Sequence, residues 1–353
     1  MSSKKPSISV PISFGENTRK ALLEADLLDI SFKIRSVNGT LLLPLTKELT
    51  ENELFRLLGH DEFQIEHEEF ESIPSSPRTL AEVMSDELSP SELELLPRAY
   101  DLIGDIAILE IPEELIQYKD KIGEAFRSLH KNVSVVLAKQ GAISGTTRIR
   151  DYDLIAGEHR TNTTHIEYGC RIAVDLAKAY FSPRLLEEHN RIAKQVTPGE
   201  TIIDMFTGVG PFPLHIAKET DAIVFAIDIN PDAISLLKKS MKLNKFVGRI
   251  TPIIADAELY VTENFDSNAD RVIMNHPSGA SSFVKAACIA LKPDGIMHYY
   301  DFVGGDDPEA LMISRLKSLI KSAGYSIDQV LHVRRVRDSA PYEYQMAVDV
   351  VIQ

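Results

Sequence analysis

The sequence predicts an α/β protein: a C-terminal parallel sheet wound with helices on both faces, preceded by two smaller α+β modules. Three observations predict it. From residue 181 onward, apolar strand-like runs alternate with helical stretches. Gly208 and Gly210 follow the first run in G-x-G spacing. Four runs in succession end on Asp204, Asp228, Asp256 and Asn275, where a doubly wound sheet places its ligand.

Residues 1–70 read as the first module. TRKALLEADLL has helical spacing. SFKIRSVNGTLLLPL reads as two strands around Asn38-Gly39, a strong hairpin signal. LTENELFRLLG is a second helix with Thr50 and Glu53 in capping-box spacing, and FQIEHEEFE reads as a returning strand. Residues 71–95 are rich in Pro, Ser and acid and read as a linker with short helical pieces. Residues 96–180 form the second module. It has buried strands at DIAILEI and SVVLA, a helix over PEELIQYKDKIGEAFRSL, and a strand or hairpin at THIEYGCRIAVDL. Residues 181–353 carry the strands TIIDMF, AIVFAIDI, RITPIIAD, RVIMNHP and IMHYYDFV, then two antiparallel edge strands in the tail.

Composition bounds the function classes. The 353 residues are 44% hydrophobic and 25% charged, as in a soluble globular protein of two or three domains. No apolar run approaches the roughly 20 residues of a membrane span. The start, MSSKKPSISV, lacks a signal-peptide core. A cytoplasmic protein without membrane contact is expected. The net charge of -14 speaks at first against a nucleic-acid partner. Residues 51–100, however, hold 13 Asp and Glu against Arg56, Arg78 and Arg98, so most of the acidity is local and a basic surface elsewhere remains open. Cys170 and Cys288 have no metal-ligand spacing. Neither a disulfide nor a metal site is expected.

The stretch DMFTGVGPFPL holds the sharpest chemical information. A dinucleotide site would have a third glycine so that helix and strand close around a pyrophosphate. Here Pro213 stands in its place, and Pro211 and Pro213 remove amide donors that an anion would need. A sulfonium ligand with a ribose and an amino-acid tail needs no phosphate cradle, which points to S-adenosylmethionine. Asp228 is placed for the ribose hydroxyls and Asp256 for the adenine amino group, with Ile229 and Ala257 lining the adenine slot. A single strand-end Asp is as readily a helix N-cap. Three in succession ahead of Asn-x-Pro carry more weight.

These residues, with NHP and AYFSPRLLEEHNRIA, resemble the archaeal and eukaryotic tRNA (guanine-37-N1)-methyltransferase family over nearly the whole chain. The resemblance implies a class I Rossmann-like methyltransferase domain, an S-adenosylmethionine cofactor, and a tRNA substrate read at an anticodon stem-loop with guanosine at position 37. A monomer is expected. It implies that Glu188 is the general base and Arg148 the guanine-contacting arginine, with Arg150 a close competitor. Asn275 and Pro277 match the N-x-P element beside the target base. Tyr180, Arg184 and His189 match positions around cofactor or target, and Asp204, Gly208 and Gly210 belong to the cofactor turn. His276 and Thr207 depart from the family's usual residues and bear on the shape of the base pocket.

Guanine N1 carries a proton, so methylation there needs a base as the methyl arrives. Glu188 would take that proton, its basicity raised by desolvation in a closed pocket. Arg148 would stabilise the charge growing on O6, and Asn275 would hold the base edge. Without the resemblance, Glu188 reads as a solvated helix carboxylate, Arg148 as a surface or phosphate contact, and Tyr180-Phe181 as core. Lys and Arg in the middle module and Arg334, Arg335 and Arg337 are candidates for tRNA backbone contact, or else an exposed edge-strand face. Three alternatives stay open: an aminocarboxypropyl transferase of wybutosine synthesis using the same cofactor, dual methylation of guanosine 37 and a wyosine precursor, and a non-catalytic tRNA-binding module.

Overall fold

Residues 2–73, 79–144, 149–340 and 342–353 are described by a computed structural model, and the chain divides into two units, Met1–Arg78 and Thr79–Gln353. The first unit contains β1 (Ser2–Pro11), α1 (Ile12–Glu24), β2 (Arg35–Val37), β3 (Thr40–Pro44), α2 (Glu51–Leu58) and β4 (Gln64–Glu71). Its antiparallel sheet has the order β2-β3-β1-β4. Asn38 and Gly39 take φ of +49° and +84°, the left-handed pair that a two-residue hairpin requires. Thr50 and Glu53 complete the capping box of α2. Strand β1 was not legible in its sequence, because SSKKPSISVP carries lysines and prolines. It is nonetheless central, flanked by β3 and β4, and buries Ile8 and Val10 against Leu22, Leu43 and Leu54.

The second unit opens with α3 (Leu80–Met84) and α4 (Pro90–Glu94). Met84, Leu88 and Leu96 are buried in one cluster with Leu109, Ile122 and Val136. Then come β5 (Tyr100–Ile103), β6 (Ile106–Leu109), α5 (Lys119–Leu129), β7 (Val135–Ser144) and β8 (Ile149–Gly157), a sheet of order β5-β6-β7-β8. The predicted long helix begins instead as a 3-10 turn, Glu113–Tyr118, after Pro112. Next, β9 (Asn162–Glu167) and β10 (Cys170–Asp175) form a hairpin closed by Tyr168 and Gly169, both at positive φ.

A 3-10 turn at Pro183–Leu185 leads into α6 (Leu186–Ala193). The alternating region follows: β11 (Thr201–Asp204), α7 (Pro211–Glu219), β12 (Ile223–Asp228), α8 (Pro231–Leu243), β13 (Arg249–Ile254), α9 (Ala257–Asn264), β14 (Ala269–Met274), α10 (Val284–Ala290), β15 (Leu291–Gly304), α11 (Pro308–Ser322), β16 (Ile327–Ala340) and β17 (Glu343–Ile352). The sheet order is β13-β12-β11-β14-β15-β17-β16, with the first five strands parallel. The chain runs outward from β11 to β13 and returns at β14, so the switch point lies between β11 and β14. The strands β11, β12 and β14 are short and mostly apolar, as helices covering both faces require.

The tail differs from the expectation of two edge strands. Only β16 is at the edge; β17 is inserted antiparallel between β15 and β16. The reason is visible in the residues. Six consecutive positions of β17, Gln345 to Val350, are buried, whereas β16 is mostly exposed or half-buried.

The β11–α7 turn has two glycines with different demands. Both are left-handed, Gly208 at φ +55° and Gly210 at +86°. A Cβ on Gly210 would meet Leu237 Cδ1 at 2.3 Å, whereas on Gly208 the nearest atom is Tyr180 O at 3.9 Å. Gly210→Ala is therefore expected to cost about 2–4 kcal/mol through strain and overpacking, and Gly208→Ala only about 1 kcal/mol. Urea unfolding of the two variants checks the order; equal losses would contradict it.

Candidate functional site

At the switch point the strand ends open onto a cavity of about 490 Å3, within the range of small-molecule sites. One wall is the β12 end, Asp228, Ile229 and Asn230. Another is Ala255, Asp256 and Ala257. The glycine turn, including Gly208 and Pro211, forms the floor, and Tyr180, Asn275, His276, Pro277, Phe283, Arg337 and Gln345 close the far end.

Asp228 holds the turn in shape. Its Oδ2 accepts the Gly208 N–H at 2.7 Å and its Oδ1 the Asn230 N–H at 2.8 Å. Burial raises its carboxyl, against the backbone donors that favour the charged form. Asp256 serves as the N-cap of α9, accepting from Leu259 N at 3.1 Å, and still lines the cavity. Helix capping and cavity lining are here one residue's work. Ile229 is 54% exposed beside it, an apolar surface suited to an adenine face. Asp204 is fully buried behind the turn and does not line the cavity. Burial pushes its carboxyl up to about 7, and its Oδ2 has no hydrogen-bond partner among the described residues. Gly210 also stands behind the cavity, packed on Leu237.

The far end is aromatic and polar. Phe206 packs between His276 and Phe283, with ring centroids 5.0 and 4.9 Å away. Arg337 donates from Nε to Gln345 Oε1 at 2.7 Å, and its Nη2 lies 3.4 Å from the Tyr180 hydroxyl. Gln345 Nε2 donates to Asn275 Oδ1 at 3.3 Å.

Not every site residue from the sequence lies at the cavity. Arg184 is not at the cofactor cavity: it sits on the 3-10 turn and makes a bidentate pair with Asp101 of β5, 2.7 and 3.2 Å away. Arg148 lies outside the described residues. Arg150 is described; it is half-buried on β8 and is not among the residues lining the cavity, and its Nε is a buried donor without a partner among the described residues. Arg334 and Arg335 are occupied as well. Arg334 pairs with Glu188 at 3.2 Å, and Arg335 pairs with Asp338 and covers the Tyr344 ring.

Glu188 is fully buried and does not line the cavity, although its neighbour His189 does. Its burial matches the desolvation expected, and its surroundings are polar. The carboxylate accepts from Arg191 Nη2 at 2.8 Å and from the Tyr300 hydroxyl at 2.9 Å, and it faces Arg334. Arg191 bridges onward to Asp349. Arg191 stands three residues after Glu188 on α6, a spacing the sequence shows, whereas Tyr300 and Asp349 reach the cluster only through the sheet.

His189 is fixed from behind by Glu167, whose Oε2 takes its Nδ1 at 2.7 Å and faces His215 Nε2 at 3.3 Å. All three are buried and their ligand-type atoms are mutually close. Two atoms bound to one zinc stand about 3.3 Å apart, given bonds near 2.0 Å and tetrahedral geometry. The 2.7 Å separation is instead a hydrogen bond, so the cluster is a carboxylate braced by imidazoles. Burial, the largest effect, pushes the His189 imidazole down, while for Glu167 the His189 and His215 donors outweigh burial and hold its carboxyl at about 2.

Comparison with known proteins places these features. The family model described as "TRM5/TYW2 methyltransferase domain" matches residues 163–330, "TYW2 N-terminal domain" matches 80–161, and "tRNA methyltransferase 5 N-terminal domain" matches 7–53. The chain is 39% identical to tRNA (guanine(37)-N(1))-methyltransferase Trm5b of Pyrococcus abyssi over 97% of each chain. It is 33% identical to a tRNA(Phe) (4-demethylwyosine(37)-C(7)) aminocarboxypropyltransferase of Pyrococcus horikoshii, over 76% of this chain and 95% of that one. The solved complex of aTrm5 with tRNALeu superposes with a TM-score of 0.81 at 35% identity, covering 98% of this chain and 99% of that one.

The Glu167 cluster yields a pH prediction. A carboxyl lowered from 4.5 to about 2 by folding contributes stability that is complete above pH 4.5 and is lost as pH falls toward 2. Glu167→Gln is expected to lower stability at pH 7 by about 2 kcal/mol and to flatten that acid limb. Thermal melts from pH 7 to 3 read it; an unchanged acid limb would refute the assignment.

Proposed function

The chain belongs to the TRM5/TYW2 methyltransferase family, and from that premise we propose that it transfers a methyl group from S-adenosylmethionine to N1 of guanosine 37, beside the anticodon of tRNA. The observation that carries this reading is one cavity at the switch point that brings Asp228 and Asp256 to one end and Asn275, Pro277 and Tyr180 to the other. A cofactor end and a base end thus share a wall.

The residues present fit the cofactor. Asp228 would take the ribose hydroxyls, for each of its oxygens has a lone pair left after the backbone bonds. Ile229, Asp256 and Ala257 would take the adenine. Pro211 and Pro213 leave the start of α7 short of N–H donors, which suits a ligand without phosphates. Once bound, S-adenosylmethionine supplies an electrophilic methyl group. The chain's task is to hold guanine in line with it and move one proton.

Glu188 is the base in this reading. It is the carboxylate next along α6 from His189, and its oxygens are already aligned by Arg191 and Tyr300. Arg148, or Arg150, whose Nε has no partner among the described residues, stabilises the charge that grows on O6. Asn275 holds the base edge, and Arg184 and Asp204 act through the shape of the site. The target nucleotide leaves its stack to enter. The N-terminal module reads a distant part of the tRNA, the acidic segment faces away from it, and the enzyme works as a cytoplasmic monomer. The reduced, buried Cys170 and Cys288 support that compartment.

Glu188→Gln is expected to leave the S-adenosylmethionine dissociation constant within about twofold while single-turnover methylation falls by about 100-fold or more. A near-wild-type rate would remove the base role. Asp228→Ala is expected to weaken cofactor binding about tenfold, by calorimetry; an unchanged constant would end the ribose assignment. Mass analysis of tRNA nucleosides settles the group transferred. One added methylene unit means methylation, and the heavier aminocarboxypropyl adduct would overturn it.

A further inference from the structure

Gln345 is 1% exposed in β17, yet it lines the cavity between Arg337 and Asn275. An amide's oxygen and nitrogen are interchangeable in shape, so its orientation follows from its partners. Here the partners fix it. A guanidinium only donates, so Arg337 Nε at 2.7 Å requires the Gln345 oxygen. That turns Gln345 Nε2 toward Asn275, which must answer with Oδ1, at 3.3 Å. The remaining polar group of Asn275 is its Nδ2, which makes no hydrogen bond among the described residues and is not sealed from the cavity. Donor polarity is passed from Arg337 through two amides to the cavity wall.

We propose that Gln345 is a positioning residue that sets Asn275 as an obligate hydrogen-bond donor to the target base, and so selects a 6-oxo purine over a 6-amino purine. The inference rests on the proposed guanosine methylation. A fixed N–H at this wall donates to O6 of guanine, whereas the 6-amino group of adenine would face it donor to donor. Buried polar groups that would be left unpaired are the strongest source of such selection.

The test uses the full-length chain and tRNA transcripts carrying guanosine, inosine or adenosine at position 37. Product nucleosides, kcat/KM, the S-adenosylmethionine dissociation constant and Tm are measured together. Gln345→Glu keeps the Arg337 contact but offers Asn275 only acceptors, so the Asn275 amide turns over and presents Oδ1. Guanosine and inosine, which share the 6-oxo group, should then fall together by about 10- to 100-fold in kcat/KM while the adenosine rate does not fall with them. The cofactor constant should stay within about twofold. Gln345→Met, which fills the space but relays nothing, should lose part of the same preference and guards against misfolding of the charged variant. An unaltered guanosine-to-adenosine ratio in folded variants overturns the proposal. So does a loss that appears wholly as weaker cofactor binding, which would aim the donor at the cofactor instead. If the wild-type chain methylates none of the three, the guanosine reading itself fails.

Discussion

A carboxylate in the middle of a sheet is the constraint on which the rest depends. Asp349 is 1% exposed at the centre of β17, between β15 and β16. Unpaired, it would cost several kcal/mol. His298 on β15 meets its Oδ1 at 2.8 Å, and Arg191 on α6 meets its other oxygen. Burial alone would raise Asp349; those two neighbours outweigh it and hold its carboxyl far below the usual carboxylate range. Arg191 also grips Glu188, while Arg271 approaches His298 from β14 and is itself held by Glu200 at 2.6 Å. The position of α6, and with it Glu188, is therefore set by charge compensation across three strands. The helix surface alone would leave Glu188 solvated.

The same economy appears on the cofactor side. Asp228 shapes the glycine turn with both oxygens and faces the cavity. Asp256 caps a helix and lines the same cavity. A structural and a functional reading of a strand-end aspartate are not rivals here, because a carboxylate has lone pairs enough for both. Glu167, by contrast, is structural: two imidazoles absorb its charge, and through His189 it braces the cavity wall.

The alternating region was legible because its signals are local. Strand runs, caps, the positive-φ glycines and the Asn38-Gly39 hairpin all act over a few residues. That Asp228, Asp256 and Asn275 share one cavity was legible for the same reason, since topology puts strand ends together. What was not legible depends on pairings far apart in sequence. Strand β1 lies at the centre of its sheet despite a polar composition, and β17 is inserted rather than at the edge. Arg184 reads from its motif as a ligand contact but finds Asp101 first. Gln345 and Arg337 reach the cavity only because β16 and β17 pair, and no spacing in the sequence announces that. Glu188 was singled out by resemblance alone; Arg191 is its neighbour at i,i+3 on α6, but Tyr300 and Arg334 meet it from distant strands.

The insertion of β17 between β15 and β16 has a consequence for synthesis. Gln345 and Asp349 leave the ribosome after every strand, helix and arginine they contact. Until then the place of β17 between β15 and β16 is unfilled, and Arg191 and His298 lack their carboxylate partner. Asn275, Arg337 and Arg191 all precede the strand that carries their partners, so Gln345 and Asp349 meet them only when β17 pairs with β15 and β16. The strand that fills the sheet is also the one that carries Gln345 to the cavity.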